Sequence, residues 1–204
     1  MALALDQLAP AYDLNLAVTP ETPLPTPAEV RRWWDDYAML GNIRAHSEMV
    51  TRVALAVTDW LHDSGLTLNR RAVETGALAH DIAKTPCLVT NKLHALEGDR
   101  IVSGLGYPEL GRLVRLHVYL PDGYPLDECM VVNYADKRVK HDRIVGLAER
   151  WSYIFERYSQ GDPERIARLE WGRDRSYAME KLIFGHMGGR HDPADILALD
   201  AGAP

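Results

Sequence analysis

Between Asn42 and His62 the apolar side chains Val50, Val53, Val57 and Trp60 follow one another at steps of three and four. That spacing puts them on one face of an α-helix, whereas a half-buried strand needs a period of two. The same steps recur through most of the chain, and the one brief β-like stretch is Leu88–Val89. The sequence therefore predicts an all-α fold, a bundle of about seven helices.

Local signals mark where those helices begin and end. Thr26-Pro27-Ala28-Glu29 places a Thr cap, a Pro at the first helical position and a Glu at the third, the signature of a capping box. Gly41 is expected to stop that helix and Asn42 to cap the next. A third helix is expected from Asn69 through Val73, Gly76 and Ala77 to His80 and Asp81, with Pro86 ending anything helical there. Shorter helices are predicted over 92–105 and 109–119, punctuated by Pro108 and Pro121. A long one follows from Leu126 through Val132, Val139, Ile144 and Trp151 to Phe155. The last starts at Asp162-Pro163-Glu164 and reaches Phe184.

The chain has 204 residues, enough for one domain with a sizeable core. Residues 1–26, with Pro10, Pro20, Pro23 and Pro25, read as an extended proline-rich arm. Residues 27–160 read as the main helical domain and 161–204 as a helical extension packed on it. With 23 Lys and Arg against 29 Asp and Glu, the formal charge of −6 argues against nucleic acid as the main partner. No apolar run approaches the roughly 18–20 residues that span a bilayer, and no basic start precedes an apolar block. A cytoplasmic protein with no membrane partner is the expectation. Cys87 and Cys129 are too few for a disulfide scaffold and are expected to be reduced thiols.

Histidine is the informative residue. His46 extends the Val50/Val53/Val57 face, and His80 continues Val73, Gly76 and Ala77. His94 precedes Gly98, Ile101 and Leu105; His117 follows Leu110, Leu113 and Val114; Asp136 sits between Val132 and Val139. One inward histidine is usually a satisfied core residue. Five helices that each bury an imidazole or carboxylate are costly unless those groups are paired or bound to cations. Helical bundles build His/carboxylate dinuclear centres in this way.

The ordered set resembles a family. His46 within Arg44-Ala45-His46-Ser47, the dyad in Ala79-His80-Asp81-Ile82-Ala83-Lys84, His94-Ala95 with Gly98, His117, and Tyr134-Ala135-Asp136-Lys137 are similar to the motifs of HD-domain, HDIG-type metal-dependent phosphohydrolases. Alanine replaces the glycine of the HD-Ile-Gly-Lys variant. The resemblance runs from Asn42 to about Asp142 and implies an HD-domain helical bundle over 27–160. It implies that His46, His80, Asp81 and Asp136 hold one divalent metal, and that Asp81 bridges to a second completed by His94 and His117. Val118 follows His117 where some cyclic-dinucleotide phosphodiesterases of the superfamily have a second histidine, so that branch is not matched.

Such a centre suits phosphate ester or anhydride hydrolysis, because bound cations lower the pKa of water from 15.7 toward about 7 and clamp the attacking and leaving oxygens. The expected reaction is attack by a metal-bound water or hydroxide, with Asp81 and Lys84 as catalytic residues. Imidazole and carboxylate ligands favour one or two ions of Fe, Mn, Co, Ni or Zn over Mg alone. The expected substrate is a nucleotide or related small phosphorylated metabolite, bound by Arg44, Lys84 and Lys137. Lys137, Arg138, Lys140 and Arg143 are expected to form a basic rim over the metals. Two other readings stay open: an HD-fold di-iron oxygenase and a non-catalytic nucleotide-sensing module. The arm and the helices after Trp151 are natural dimer surfaces, which leaves a homodimer open.

Overall fold

The computed structural model describes residues 16–90 and 92–200, so Pro10 and the first part of the predicted arm lie outside the described residues. The fold is all-α. Helix α1 (Pro27–Asp36) begins with the capping box: Glu29 N donates to Thr26 Oγ1 at 3.2 Å, and Thr26 N donates to Glu29 Oε2 at 2.7 Å. Its end differs from expectation. The chain leaves the helix at Ala38, whose φ of 50° is left-handed, and Gly41 opens α2 (Gly41–Asp63) instead of ending α1.

Helix α2 is the axis of the bundle, with Val50, Val53 and Val57 fully buried as the spacing requires. It packs on α3 (Arg70–Ala79) and α7 (Glu128–Lys137). Side-chain caps start both partners: Ala72 N donates to Asn69 Oδ1 at 3.1 Å, and Met130 N to Asp127 Oδ1 at 3.1 Å. Helix α3 stops one residue before His80, which turns the dyad out of regular helix into the centre of the bundle.

Pro86 does not end helical structure. Helix α4 (Lys84–Thr90) carries it in its first turn, where a missing N–H costs no internal bond. Leu88 and Val89 are therefore helical and exposed. Helices α5 (His94–Gly104) and α6 (Pro108–Leu116) form a tight pair. A Cβ on Gly98 would lie 2.7 Å from Val114 Cγ1, so glycine permits the close approach that faces His94 toward His117.

The predicted helix over 126–155 is two helices. A hairpin of β1 (Val139–Lys140) and β2 (Arg143–Ile144) separates α7 from α8 (Leu147–Tyr158). Val139 and Ile144 keep the apolar spacing because they face each other across the hairpin, which imitates helical periodicity in the sequence. The chain then forms α9 (Pro163–His186) and a short α10 (Pro193–Ala198) that the spacing did not suggest. Met179, Ile183 and Phe184 of α9 are buried, and Gly172 admits the Trp151 ring of α8. Cys87 and Cys129 are free thiols. Among the described residues, no helix is long and apolar enough to cross a membrane.

Candidate metal centre

The six residues singled out in the sequence converge. His46 comes from α2, His80 and Asp81 from the turn after α3, His94 from the start of α5, His117 from the end of α6, and Asp136 from α7. His46 Nε2 lies 3.0 Å and His80 Nε2 3.9 Å from Asp136 Oδ1. Asp81 reaches the other side: its Oδ2 is 3.4 Å from His80 Nε2, and its Oδ1 is 3.4 Å from His94 Nε2 and 3.7 Å from His117 Nε2. His94 Nε2 and His117 Nε2 are 3.2 Å apart.

Backbone carbonyls orient three of the rings. The Nδ1 of His80 faces Ala77 O at 2.7 Å, that of His117 faces Val114 O, and that of His46 faces His141 O at 2.8 Å. A carbonyl only accepts, so each Nδ1 carries a hydrogen and each ring turns its Nε2 inward, where a neutral imidazole presents a lone pair. The His141 carbonyl is delivered by the hairpin turn, where His141 holds a left-handed φ of 56°.

Two lysines hold the carboxylates. Lys84 Nζ donates to Asp81 Oδ2 at 2.6 Å, and Lys137 Nζ donates to Asp136 Oδ2 at 2.7 Å. In each case the other oxygen, Oδ1, is left facing histidines. Burial pushes the Asp81 and Asp136 carboxyls up. The lysine beside each, with the histidines and, for Asp136, Arg150, outweighs burial and holds both well below the usual carboxylate range. Burial pushes His117 well below and His94 below the ordinary imidazole value. Burial also opposes charge on His80, but the Asp81 and Asp136 carboxylates raise it overall.

His80 Nε2 and Asp81 Oδ1 are buried and have no hydrogen-bond partner. Imidazole Nε2 atoms turned inward, beside carboxylate oxygens at 3–4 Å of which Asp81 Oδ1 is unpartnered, make a donor set that divalent cations complete. The donor atoms of His46, His80 and Asp136 all lie within 4.8 Å of one another, as do those of His80, Asp81 and His117. The residues present therefore fit a metal site, with His94 against its second half.

A pocket of about 330 Å³ opens beside this cluster, reaching His46, Asp81 and Lys84 at its floor. Three expectations about charge are corrected. Arg44 faces away: its guanidinium donates to Met39 O, Trp34 O and Asp35 Oδ1, tying α2 to the end of α1. Lys137 is buried and occupied by Asp136 and by His117 O at 3.2 Å, so it steadies the cluster and does not line the rim. Arg138 is in the core, while Lys140 and Arg143 pair with Glu149, so the four do not form a basic rim. The pocket instead takes its cations from Lys84 and from Arg150 and Arg157 of α8. The signal for the last two was present: Arg150, Tyr153 and Arg157 are spaced i, i+3, i+7. The apolar spacing of Trp151 and Ile154, which reads as the tail of a longer helix, masks it.

No curated protein and no solved structure matches the chain. The family model for the HD domain matches residues 43–150, more than half of the chain and the whole of the segment that carries the six convergent groups. With its dyad at His80-Asp81 and the remaining histidines and aspartate gathered around it, the chain belongs to the HD domain family.

Proposed function

We propose that this protein is a metal-dependent phosphohydrolase that cleaves an ester or anhydride bond of a small phosphorylated metabolite, nucleotides being the first class to examine. The observation that carries this reading is the pair of buried, partnerless atoms, His80 Nε2 and Asp81 Oδ1, in a cluster whose His46 and Asp81 line a pocket that also takes in Lys84, Arg150 and Arg157. His46, His80, Asp81 and Asp136 would hold one divalent cation, and Asp81, His94 and His117 a second. Bound there, such cations supply water acidified toward neutral pH and positive charge for phosphate oxygens.

The chain's own residues do the rest. Lys84 is half-buried: its ammonium fixes Asp81 Oδ2 and leaves it within reach of a phosphate oxygen in the pocket. Burial opposes its charge, but Asp81 and Asp136 raise its pKa, so it stays cationic. Arg150 lies 3.7 Å from Asp136 Oδ1 and lines the pocket, which sets its positive charge beside the cluster where a substrate oxygen would approach. The backbone carbonyls of Ala77, Val114 and His141 hold three rings in the orientation a cation needs before one arrives.

The test is phosphate release from a broad phosphoester panel by protein loaded with Mn²⁺, Co²⁺ or Fe²⁺. Asp81→Ala is expected to lower turnover by at least about a thousandfold, equivalent to roughly 4 kcal/mol of transition-state stabilisation. Undiminished turnover in that variant would remove the metal centre from the mechanism.

A further inference from the structure

Helix α8 has two working faces. Leu147, Trp151 and Ile154 are buried against the bundle, while Arg150, Tyr153 and Arg157 line the pocket. Arg150 sits at the inner end beside Asp136, and Arg157 follows two turns later, about 10 Å along the helix axis.

Most arginines of this acidic chain are paired: Arg31 with Glu48, Arg70 with Asp59, Arg112 with Asp127 and Arg138 with Glu180. Among the described residues, no carboxylate pairs with Arg157. Its guanidinium carbon lies 5.7 Å from the ring centroid of Tyr158, an exposed residue that also lines the pocket. Arg157 is exposed, and the hydrogen bonds it makes with Tyr158 and Tyr153 use only part of its fork of five N–H donors, which leaves the others for an anion.

The charge around the floor points the same way. Lys84 and Lys137 already compensate Asp81 and Asp136 at 2.6 and 2.7 Å. Arg150 in turn lies 3.7 Å from Asp136 Oδ1, so Arg157 is the positive charge of the pocket that no carboxylate beside it offsets.

We propose that Arg157, beside Tyr158 at the pocket rim, binds a second phosphate of the substrate, so that the site selects compounds carrying two or more phosphates over simple monoesters. This rests on the phosphohydrolase reading of the site, and it makes Arg157 a specificity-determining residue outside the metal cluster.

The test is binding, measured by calorimetry on Mn²⁺-loaded protein, of two probes with non-hydrolysable P–C bonds: methylphosphonate and bis(phosphonomethyl)phosphinate, which mimics a triphosphate. The wild-type protein is expected to prefer the longer probe. In Arg157→Ala the affinity for the longer probe should fall about tenfold more than that for methylphosphonate, the loss of one charge-assisted contact. Arg157→Lys should recover part of it. Arg143→Ala, which removes an exposed cation outside the pocket, should move neither probe. Equal losses for both probes in Arg157→Ala, or no preference in the wild type, would overturn the proposal. A preference lost with Arg157 in a protein that hydrolyses no phosphoester would leave the second-phosphate site standing and remove the hydrolase reading.

Discussion

Two buried polar clusters sit two residues apart on α7 and its C-terminus, and they are built on opposite rules. Around Arg138 every guanidinium nitrogen finds an acceptor. Its Nε donates to Val145 O at 2.9 Å, its Nη1 to Tyr134 Oη at 2.6 Å and Glu180 Oε2 at 2.9 Å, and its Nη2 to Pro193 O at 2.9 Å. That closed network joins α7, the hairpin, α9 and the start of α10. Around Asp136 and Asp81, imidazole lone pairs and carboxylate oxygens face one another, and His80 Nε2 and Asp81 Oδ1 have no partner. Burying polar groups is costly in both places. The first cluster offsets that cost internally and serves the fold; the second leaves it to be offset by something that binds.

The sharpest way to break this contrast is to remove the guanidinium. Arg138→Met leaves the Glu180 carboxylate with the Tyr134 hydroxyl but no cation, removes a donor from two carbonyls, and is expected to cost about 3–5 kcal/mol in denaturant unfolding. The metal content of the folded fraction should stay at the wild-type ratio. Loss of metal with unchanged stability would mean that the closed network serves the centre.

Lys137 tests the boundary between the two clusters, since it lies between Asp136 and Arg138 in sequence and grips the former. Lys137→Met frees Asp136 Oδ2 and the His117 carbonyl. Metal affinity, read by chelator competition, should fall about 10–100-fold, the usual consequence of removing a group that orients a ligand.

The smallest effect is a pH slope. His117 is held below the ordinary imidazole value by burial, then by His80 and His94, so the metal-free folded state stays neutral there where the unfolded chain takes up a proton. The unfolded state then binds more protons below about pH 6.5, and stability from this group falls as pH falls through that value. His80, raised, slopes the other way, and its share is lost as pH rises through its folded value. Comparing variants isolates one of them. Metal-free His117→Gln should lose up to about 1 kcal/mol less than wild type between pH 7 and 5.5, whereas Arg138→Met should keep the wild-type slope. A slope unchanged in His117→Gln would mean that its imidazole titrates normally.

How much of this was legible beforehand differs from residue to residue. His46 was placed by four-residue extension of a valine face, and the structure puts it where that extension points, with Val50, Val53 and Val57 fully buried behind it. Arg44, two residues earlier, was not: its donors go to the end of α1, a neighbour that helical spacing says nothing about. Lys84 was found through the dyad one turn before it, and it does reach Asp81. The sequence does not mark Arg150 and Arg157 as pocket residues, because the hairpin that starts a new helix at Leu147 preserves apolar spacing across the break.

The order of residues alone determined the all-α character, the inward faces and the set of imidazoles and carboxylates, because helical periodicity and capping are local and each register follows from its own few residues. Folding in three dimensions decided which lone pairs meet, which lysine holds which carboxylate oxygen, and which cations line the pocket. Those outcomes depend on close approaches such as Gly98 against Val114 and on a left-handed turn at His141, contacts between segments distant in the chain that no local spacing encodes.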